Sequence, residues 1–383
     1  MMQHAAGESI HLTSTHRPFD TRVFQKECRS LAKAGYRVTL IVPHTQDEVV
    51  DGVQIRAVPR PANGRERLKK TTRDVYKAAL KENRDAIFHF HDGELLPFML
   101  LLKLRGRRVI YDAHEDSPRQ MMYQHWIPRP LRRPIGLFMR MLEWAAGRML
   151  NHVIAAEPII ADYFPQKKVS LVRNYPMLEE FSACKHVPYA SRPSHIGFAG
   201  GISAVRGVTE LVDALNHVEG TTRLQLAGTF YPTDLKTRVE NMPGWAKVDF
   251  QGWIDRTGLI KLLSGVRIGV ITRHPIDRHL SAFPTKLFEY MAAGLPVVVS
   301  DLPTIRPIVE RHNCGLLVDP LKPEAIATGL QTLLNDPEKA EQMGQRGYKA
   351  ITEHYNWDNE VKTLLAVYQS IEKDTPVHRS PAQ

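Results

Sequence analysis

The chain has 383 residues, too many for one ordinary hydrophobic core, and is expected to divide into two domains of about 150 to 200 residues each. With 43% hydrophobic and 24% charged residues it is neither disordered nor fibrous, and three scattered cysteines, Cys28, Cys184 and Cys314, exclude a disulfide or zinc framework. The net charge of +10 sits wholly in residues 1–190, with 30 Lys and Arg against 20 Asp and Glu, while residues 191–383 balance 21 against 21.

That asymmetry predicts an anionic partner for the first half, such as a phospholipid surface, a phosphorylated acceptor or a nucleic acid; the alternative is a basic surface with no partner. No stretch of 18 residues is apolar and free of charge, and the N-terminal MMQHAAGESIHLTSTH lacks the basic-then-apolar order of a secretory signal. A cytoplasmic location is therefore expected.

In chain order, SIHLTST reads as a strand, Arg22 to Ala34 as a helix closed by Gly35, and YRVTLIVP as the next strand. GVQIRAVP, a basic helix from Arg65 to Glu82, the strand AIFHFH, the apolar helix ELLPFMLLLKL and the strand RRVIYDAH follow, with NHVIAAE and VSLVRNYP as the last strands of the half. Residues 176–193, PMLEEFSACKHVPYASRP, are irregular and are expected to form a linker. The second half repeats the alternation through HIGFAG, RLQLAGTF, KVDFQGW, VRIGVIT, LPVVVSD and CGLLVDP, and the tail after Lys373 is expected to be disordered. Such β-α-β alternation predicts two α/β domains with mostly parallel sheets covered on both faces.

Two motifs carry chemistry. HIGFAG runs into Gly200-Gly201-Ile202-Ser203-Ala204-Val205-Arg206-Gly207 and then a helix, an arrangement that lets backbone amides approach a phosphate while Arg206 pairs with diphosphate oxygens. PTKLFEYMAAGLPVVVSD, residues 284–301, opens a helix bearing Glu289, ends it at Gly294 and restarts as a buried strand. A carboxylate there suits two ribose hydroxyls; the plainer reading is a solvated glutamate near a helix start.

These residues, with Val309-Glu310 and the closing CGLLVDP, resemble the family 4 (group 1) glycosyltransferases of the GT-B fold, two Rossmann-like doubly wound domains facing across a cleft. The resemblance runs from HRPFDTRVFQKECRSLAKAGYRVTL through RNYP to NWDNEVKTLLAVYQSI. It implies an acceptor domain over 1–175, a nucleotide-sugar domain over 194–355, and a terminal helix at about 356–372 that packs back on the first domain. By the same resemblance Glu289 holds the donor ribose, and Gly200, Gly201 and Arg206 form the diphosphate loop. Arg206 stands where most members have lysine, and Gly201 where many have arginine; Lys286, Arg273 and Arg278 are candidates to supply the missing cation. Ser281 occupies the position of a second glutamate that commonly contacts the donor sugar. His91 corresponds to the histidine beside that sugar, while Asp20, Arg22, His114 and Glu115 lie on strand ends expected to meet the acceptor.

Members retain anomeric configuration, which implies same-face attack with the departing diphosphate taking the acceptor proton. Arg206 and Lys286 would then act as electrophilic catalysts alongside His91. The chain contains no Asp-x-Asp, so no metal and no cofactor beyond the donor are expected. The segment Trp126 to Leu150 combines Arg129, Arg132, Arg133, Arg140 and Arg148 with Leu131, Phe138, Met141 and Trp144; it fits either an anionic membrane surface or a helix packed on its own domain. The expected activity is therefore transfer of a hexosyl or N-acetylhexosaminyl unit to a membrane-linked or anionic glycan, in polysaccharide, capsule or lipopolysaccharide assembly at the inner face of the membrane. An epimerase, a phosphorylase or a catalytically silent glycan-binding protein of the same fold are the alternatives, and a nucleic-acid binder is disfavoured because no recognition module is present.

Overall fold

The computed structural model of the chain describes residues 7–120 and 127–373, without the side chains of 119, 120 and 278. The tail after Lys373, Trp126 and the Arg278 side chain thus lie outside the described residues. The chain forms two units, residues 1–174 with 358–383, and residues 175–357.

In the first unit the apolar runs become β1 (Glu8–Leu12), β2 (Arg37–Pro43), β4 (Val53–Val58), β5 (Ile87–Phe90), β6 (Arg108–Ala113), β7 (His152–Ala155) and β8 (Val169–Leu171). A short strand absent from the sequence reading, β3 (Glu48–Val50), pairs antiparallel with β4 at the edge; every other pairing is parallel, in the order β3-β4-β2-β1-β5-β6-β7-β8. The helix after β1 starts at Asp20, whose carboxylate accepts from the backbone of Arg22 at 2.8 Å and Val23 at 3.0 Å. Its opening turns, Thr21–Cys28, are π-wound, with Gln25 N–H reaching Asp20 O at 3.0 Å. VSLVRNYP is a strand only as far as Leu171, since Arg173 N–H turns to Glu360 Oε2 at 2.7 Å.

Glu360 belongs to the helix Trp357–Lys373, which buries Leu364, Val367, Tyr368 and Ile371 in the first unit. The Tyr368 hydroxyl meets Ser9 Oγ at 2.8 Å and His89 Nδ1 at 3.0 Å.

The second unit contains β9 (Ile196–Ala199), β10 (Leu224–Ala227), β11 (Val248–Gly252), β12 (Ile268–Ile271), β13 (Val297–Ser300) and β14 (Gly315–Val318), all parallel in the order β11-β10-β9-β12-β13-β14. Helices Val208–Ala214 and Pro323–Asn335 pack on one face of this sheet, and Arg256–Ser264 and Thr285–Ala292 on the other. Residues 176–193 are not a free linker, which corrects the sequence reading. Phe181, Cys184 and Tyr189 are buried in this unit, and Arg192 donates to Cys184 O at 2.7 Å. Three apolar anchors among prolines and polar residues give no periodic pattern, yet they fasten the segment down.

Candidate functional site

In each unit the strand order reverses once, between β9 and β12 in the second and between β1 and β5 in the first. Helices leaving in opposite directions from such a point open a crevice beyond the strand carboxyl ends.

Beyond β9, Gly200 takes φ 120° and Gly207 φ 72°, conformations that L side chains rarely adopt. A Cβ on Gly207 would collide with the Thr272 carbonyl, and one on Gly200 would lie 2.5 Å from Lys286 Cε. Glycine is therefore required for the loop to close on Thr272, just past the end of β12, and on the lysine. Arg206 folds back over Gly201, its Nη1 donating to Gly201 O at 2.8 Å, and fills the space that a side chain at 201 would need. The two departures from the family pattern are thus complementary, with one guanidinium lying over the position where an arginine is absent.

Lys286 and Glu289 are three residues apart and share a face of the 285–292 helix. Tyr290 Oη accepts from Ala199 N–H at 3.2 Å, which ties that helix to the end of β9. Lys286 Nζ lies 3.9 Å from the Phe198 ring centroid and makes no ion pair among the described residues. Burial pushes its pKa well down, and Arg206 and Arg273 push the same way against the pull of Glu289. A cation short of water and beside like charges gains most from an incoming dianion. Ser281 Oγ donates to Asp277 O at 3.3 Å, and Arg273 Nη1 to Ala282 O at 3.5 Å.

Glu289 is already partnered, accepting from Arg256 Nη1 at 2.5 Å, and Arg256 Nη2 also pairs with Glu180. Neither Arg256 nor Glu180 stood out in the sequence, where Asp255-Arg256 reads as an ordinary helix start.

In the first unit, β1 and β5 align His11 with His89, and the period of two puts His91 on the same face. Arg22 Nε and Nη2 donate to Asp112 Oδ2 and Oδ1 at 2.8 and 2.7 Å, and Nη1 to Val172 O at 3.1 Å. Burial alone would raise the Asp112 pKa, but Arg22 and then His114 hold it well below the usual carboxylate range. A carboxylate at Asp112 fixes the tautomers above it: His91 Nδ1–H donates to Asp112 Oδ2 at 3.1 Å, so His91 Nε2 accepts from His11 Nδ1 at 2.9 Å. His11 Nε2 in turn meets Tyr368 Oη at 3.3 Å.

Two of the expected site residues are engaged within the unit. His91, expected beside the donor sugar, is buried with both ring nitrogens hydrogen-bonded. Arg22 is buried and spent on Asp112, so it anchors the site floor instead of facing an acceptor. The rim carries Asp20, His114, exposed Glu115 and, unanticipated, His16. His16 Nδ1 lies 3.3 Å from Asp20 Oδ2, and its Nε2 lies 3.1 Å from His114 Nε2 and 3.5 Å from Asp92 Oδ1. Burial lowers the His16 pKa, but Asp20 and Asp92 outweigh it and raise the value to about 9. The strand alternation His89-x-His91 was visible in the sequence; its alignment with His11 depends on a pairing across 80 residues.

Among the described residues two clusters have the spacing of metal ligands, His11 with Glu27, His89 and His91, and His91 with Asp112 and His114. Their fit to a cation is poor. The Arg22 Nε stands 3.2 Å from Glu27 Oε1, and the nitrogens linking His11 and His91 already bond each other. Burial, then Asp112, pushes the Glu27 pKa up against the pull of Arg22.

The helix Arg129–Met149 inverts the usual burial pattern. Gly136, Glu143, Ala146 and Gly147 face inward, whereas Leu131, Leu137, Phe138, Met141 and Trp144 are exposed, Leu137 at 65%. Arg132 Nε donates to Ile127 O at 3.0 Å, and the Arg140 guanidinium covers the Tyr163 ring at 3.8 Å. No helix among the described residues is long and apolar enough to cross a membrane.

Two Rossmann-like units built on parallel sheets with these strand-end loops are the GT-B fold. Family models agree, Glycosyltransferase Family 4 matching residues 21–174 and Glycosyl transferases group 1 matching 187–350, and the chain belongs to the group 1 glycosyltransferases. It is 28% identical over 178 residues to an uncharacterized glycosyltransferase of Methanocaldococcus jannaschii, covering 45% of this chain and 44% of that protein. Over 196 residues it is 26% identical to a D-inositol 3-phosphate glycosyltransferase of Xylanimonas cellulosilytica, covering 47% and 43%. The chain therefore spans less than half the length of these curated relatives. Among solved structures, sucrose-phosphate synthase of Thermosynechococcus elongatus superposes with TM-score 0.75 at 19% identity, over 97% of this chain and 100% of that one. The Anabaena protein HepE in complex with UDP-glucose superposes with TM-score 0.70 at 13% identity, over 95% and 99%.

Proposed function

We propose that this glycosyltransferase is a retaining enzyme that moves a hexosyl or N-acetylhexosaminyl unit from a nucleotide-diphosphate sugar to a membrane-linked or anionic glycan. The observation that carries the reading is the meeting of Gly200, Arg206 and Lys286, which has no ion pair among the described residues, at the end of β9, with Glu289 one turn along the same helix face. Glycine amides and two cations suit a diphosphate, and the carboxylate suits a ribose diol. The binding of UDP-glucose and UDP by the Anabaena neighbour supports a donor of that class.

In this reading Arg206 and Lys286 stabilise the charge that grows on the departing diphosphate, which takes the proton from the acceptor hydroxyl on the same face. The bond from the anomeric carbon to the diphosphate breaks as the bond to the acceptor oxygen forms, and the protein supplies no nucleophile and needs no metal. The first unit receives the acceptor at its His16, Asp20, His114 and Glu115 rim, and the 129–149 helix seats the enzyme on an anionic membrane surface at its inner face. Such an acceptor belongs to polysaccharide, capsule or lipopolysaccharide assembly.

The test is calorimetric titration of UDP, GDP and ADP into wild type, Glu289→Ala and Arg206→Ala, followed by turnover with the sugar of the preferred nucleotide. Glu289→Ala should weaken nucleotide binding. Arg206→Ala should chiefly slow turnover, by on the order of 100-fold. Unchanged values in both variants would remove this assignment.

A further inference from the structure

The helix Arg256–Ser264 begins at Asp255, whose carboxylate accepts from Gly258 N–H at 2.7 Å, and this cap fixes Arg256 at the first helical position. From there the guanidinium bridges two carboxylates, Nη1 reaching Glu289 Oε1 at 2.5 Å and Nη2 pairing with Glu180. Its carbon lies 5.7 Å from the Phe181 ring centroid, and its buried Nε has no hydrogen-bond partner among the described residues. Glu180 and Phe181 lie on the short turn Leu178–Phe181, so three distant parts of the second unit meet at this one guanidinium.

We propose that Arg256, steadied by Glu180 and Phe181, is a positioning residue for the donor, holding the Glu289 side chain in the orientation that presents Oε2 to the nucleoside's vicinal diol. The inference rests on the reading of Glu289 as the ribose ligand. A carboxylate offers about four lone-pair directions. Arg256 uses one of them on Oε1 and leaves the rest for two hydroxyls, so the pair does not have to break when the donor arrives. A glutamate on an open helix face would otherwise have to be ordered at each binding event. Lysine would replace this arginine only in part, because one ammonium cannot serve two carboxylates with the planar geometry of a guanidinium.

The experiment is a double-mutant cycle on the full chain, read by calorimetry with whichever of UDP, GDP or ADP binds wild type best. Arg256→Ala should raise the nucleotide Kd about tenfold, the upper end for ordering one long side chain. Arg256→Lys should recover part of that loss, and Glu180→Gln, which keeps the packing, should fall between wild type and Arg256→Ala. In the Glu289→Ala background Arg256→Ala should add nothing, because its only route to the ligand is gone. Equal effects of Arg256→Ala in both backgrounds would overturn the inference, as would a lowered melting temperature with an unchanged Kd. If wild type binds a nucleotide and Glu289→Ala loses it while Arg256→Ala does not, Arg256 alone is misassigned. If none of the three nucleotides binds wild type, the donor reading fails and takes this inference with it.

Discussion

Replacing Phe138 and Trp144 together by alanine tests the membrane face most directly. These residues are 57% and 56% exposed, so each lies largely outside the first unit's packing. Fully burying a large apolar side chain is favourable by about 1.5 to 3 kcal/mol, and with roughly half of each available the pair should contribute ~2 to 3 kcal/mol to interfacial binding. At 1.4 kcal/mol per factor of ten, the double variant should partition onto vesicles about 30- to 150-fold more weakly than wild type. Co-sedimentation with vesicles containing a third anionic lipid measures this, and melting temperature serves as the control because exposed substitutions usually leave stability within about 0.5 kcal/mol. Reversing Arg129 and Arg133 to glutamate should weaken binding further and in a salt-dependent way, at ~1 kcal/mol for each basic group removed. Arg132 and Arg140 make poorer probes, since they hold Ile127 O and the Tyr163 ring. Equal partitioning of wild type and the alanine pair, or no binding by wild type, would refute the reasoning and leave the helix as an unpartnered surface.

Two further predictions concern the site floor of the first unit. Arg22→Ala should cost about 3 to 5 kcal/mol, because it strands the buried Asp112 carboxylate, and scanning calorimetry should find the first unit's melting temperature lower by roughly 10 °C; a loss under about 1 kcal/mol would show that Asp112 is solvated by other means. His16 has its pKa raised from 6.5 to about 9, so its charged-pair contribution is complete below pH 6.5 and is lost as pH rises through about 9. The stability difference between wild type and His16→Gln should therefore be largest near about pH 6 and vanish by about pH 10, and a difference that stays constant across that range would rule out the ion pair with Asp20 and Asp92.

The strands were the legible part of this chain. Parallel strands buried on both faces must be apolar runs, and VTLIV, FAG, GVI and PVVVS announce themselves. The Gly200–Gly207 loop was legible for a similar reason, because glycines at 200 and 207 serve a positive φ that is a local property of the turn, although the close approach of Thr272 and Lys286 could not be read from it. What the sequence concealed depended on pairing at long range. Nothing local to His91 says that His11 lies 2.9 Å away, or that Arg22 would be claimed by Asp112, and both facts moved an expected substrate contact into the floor. The 176–193 segment failed differently. Its prolines and polar residues have the composition of a linker, and only the pockets that receive Phe181, Cys184 and Tyr189 make it structural. Arg256 was hidden by its own ordinariness, since a basic residue after an aspartate cap carries no signal until Glu180 and Glu289 are brought beside it.

The return of the helix Trp357–Lys373 to the first unit has a consequence for biosynthesis. Tyr368 completes hydrogen bonds to Ser9 and His89, residues translated hundreds of codons earlier, so the first unit lacks these contacts until this helix leaves the ribosome. Residues 175–357 are contiguous and can fold before that moment, which makes the second unit the first to mature. A fragment stopping near residue 174 would emerge with an unfinished, adhesive flank, and a nascent chain stalled before residue 368 would present the same flank to any passing chaperone.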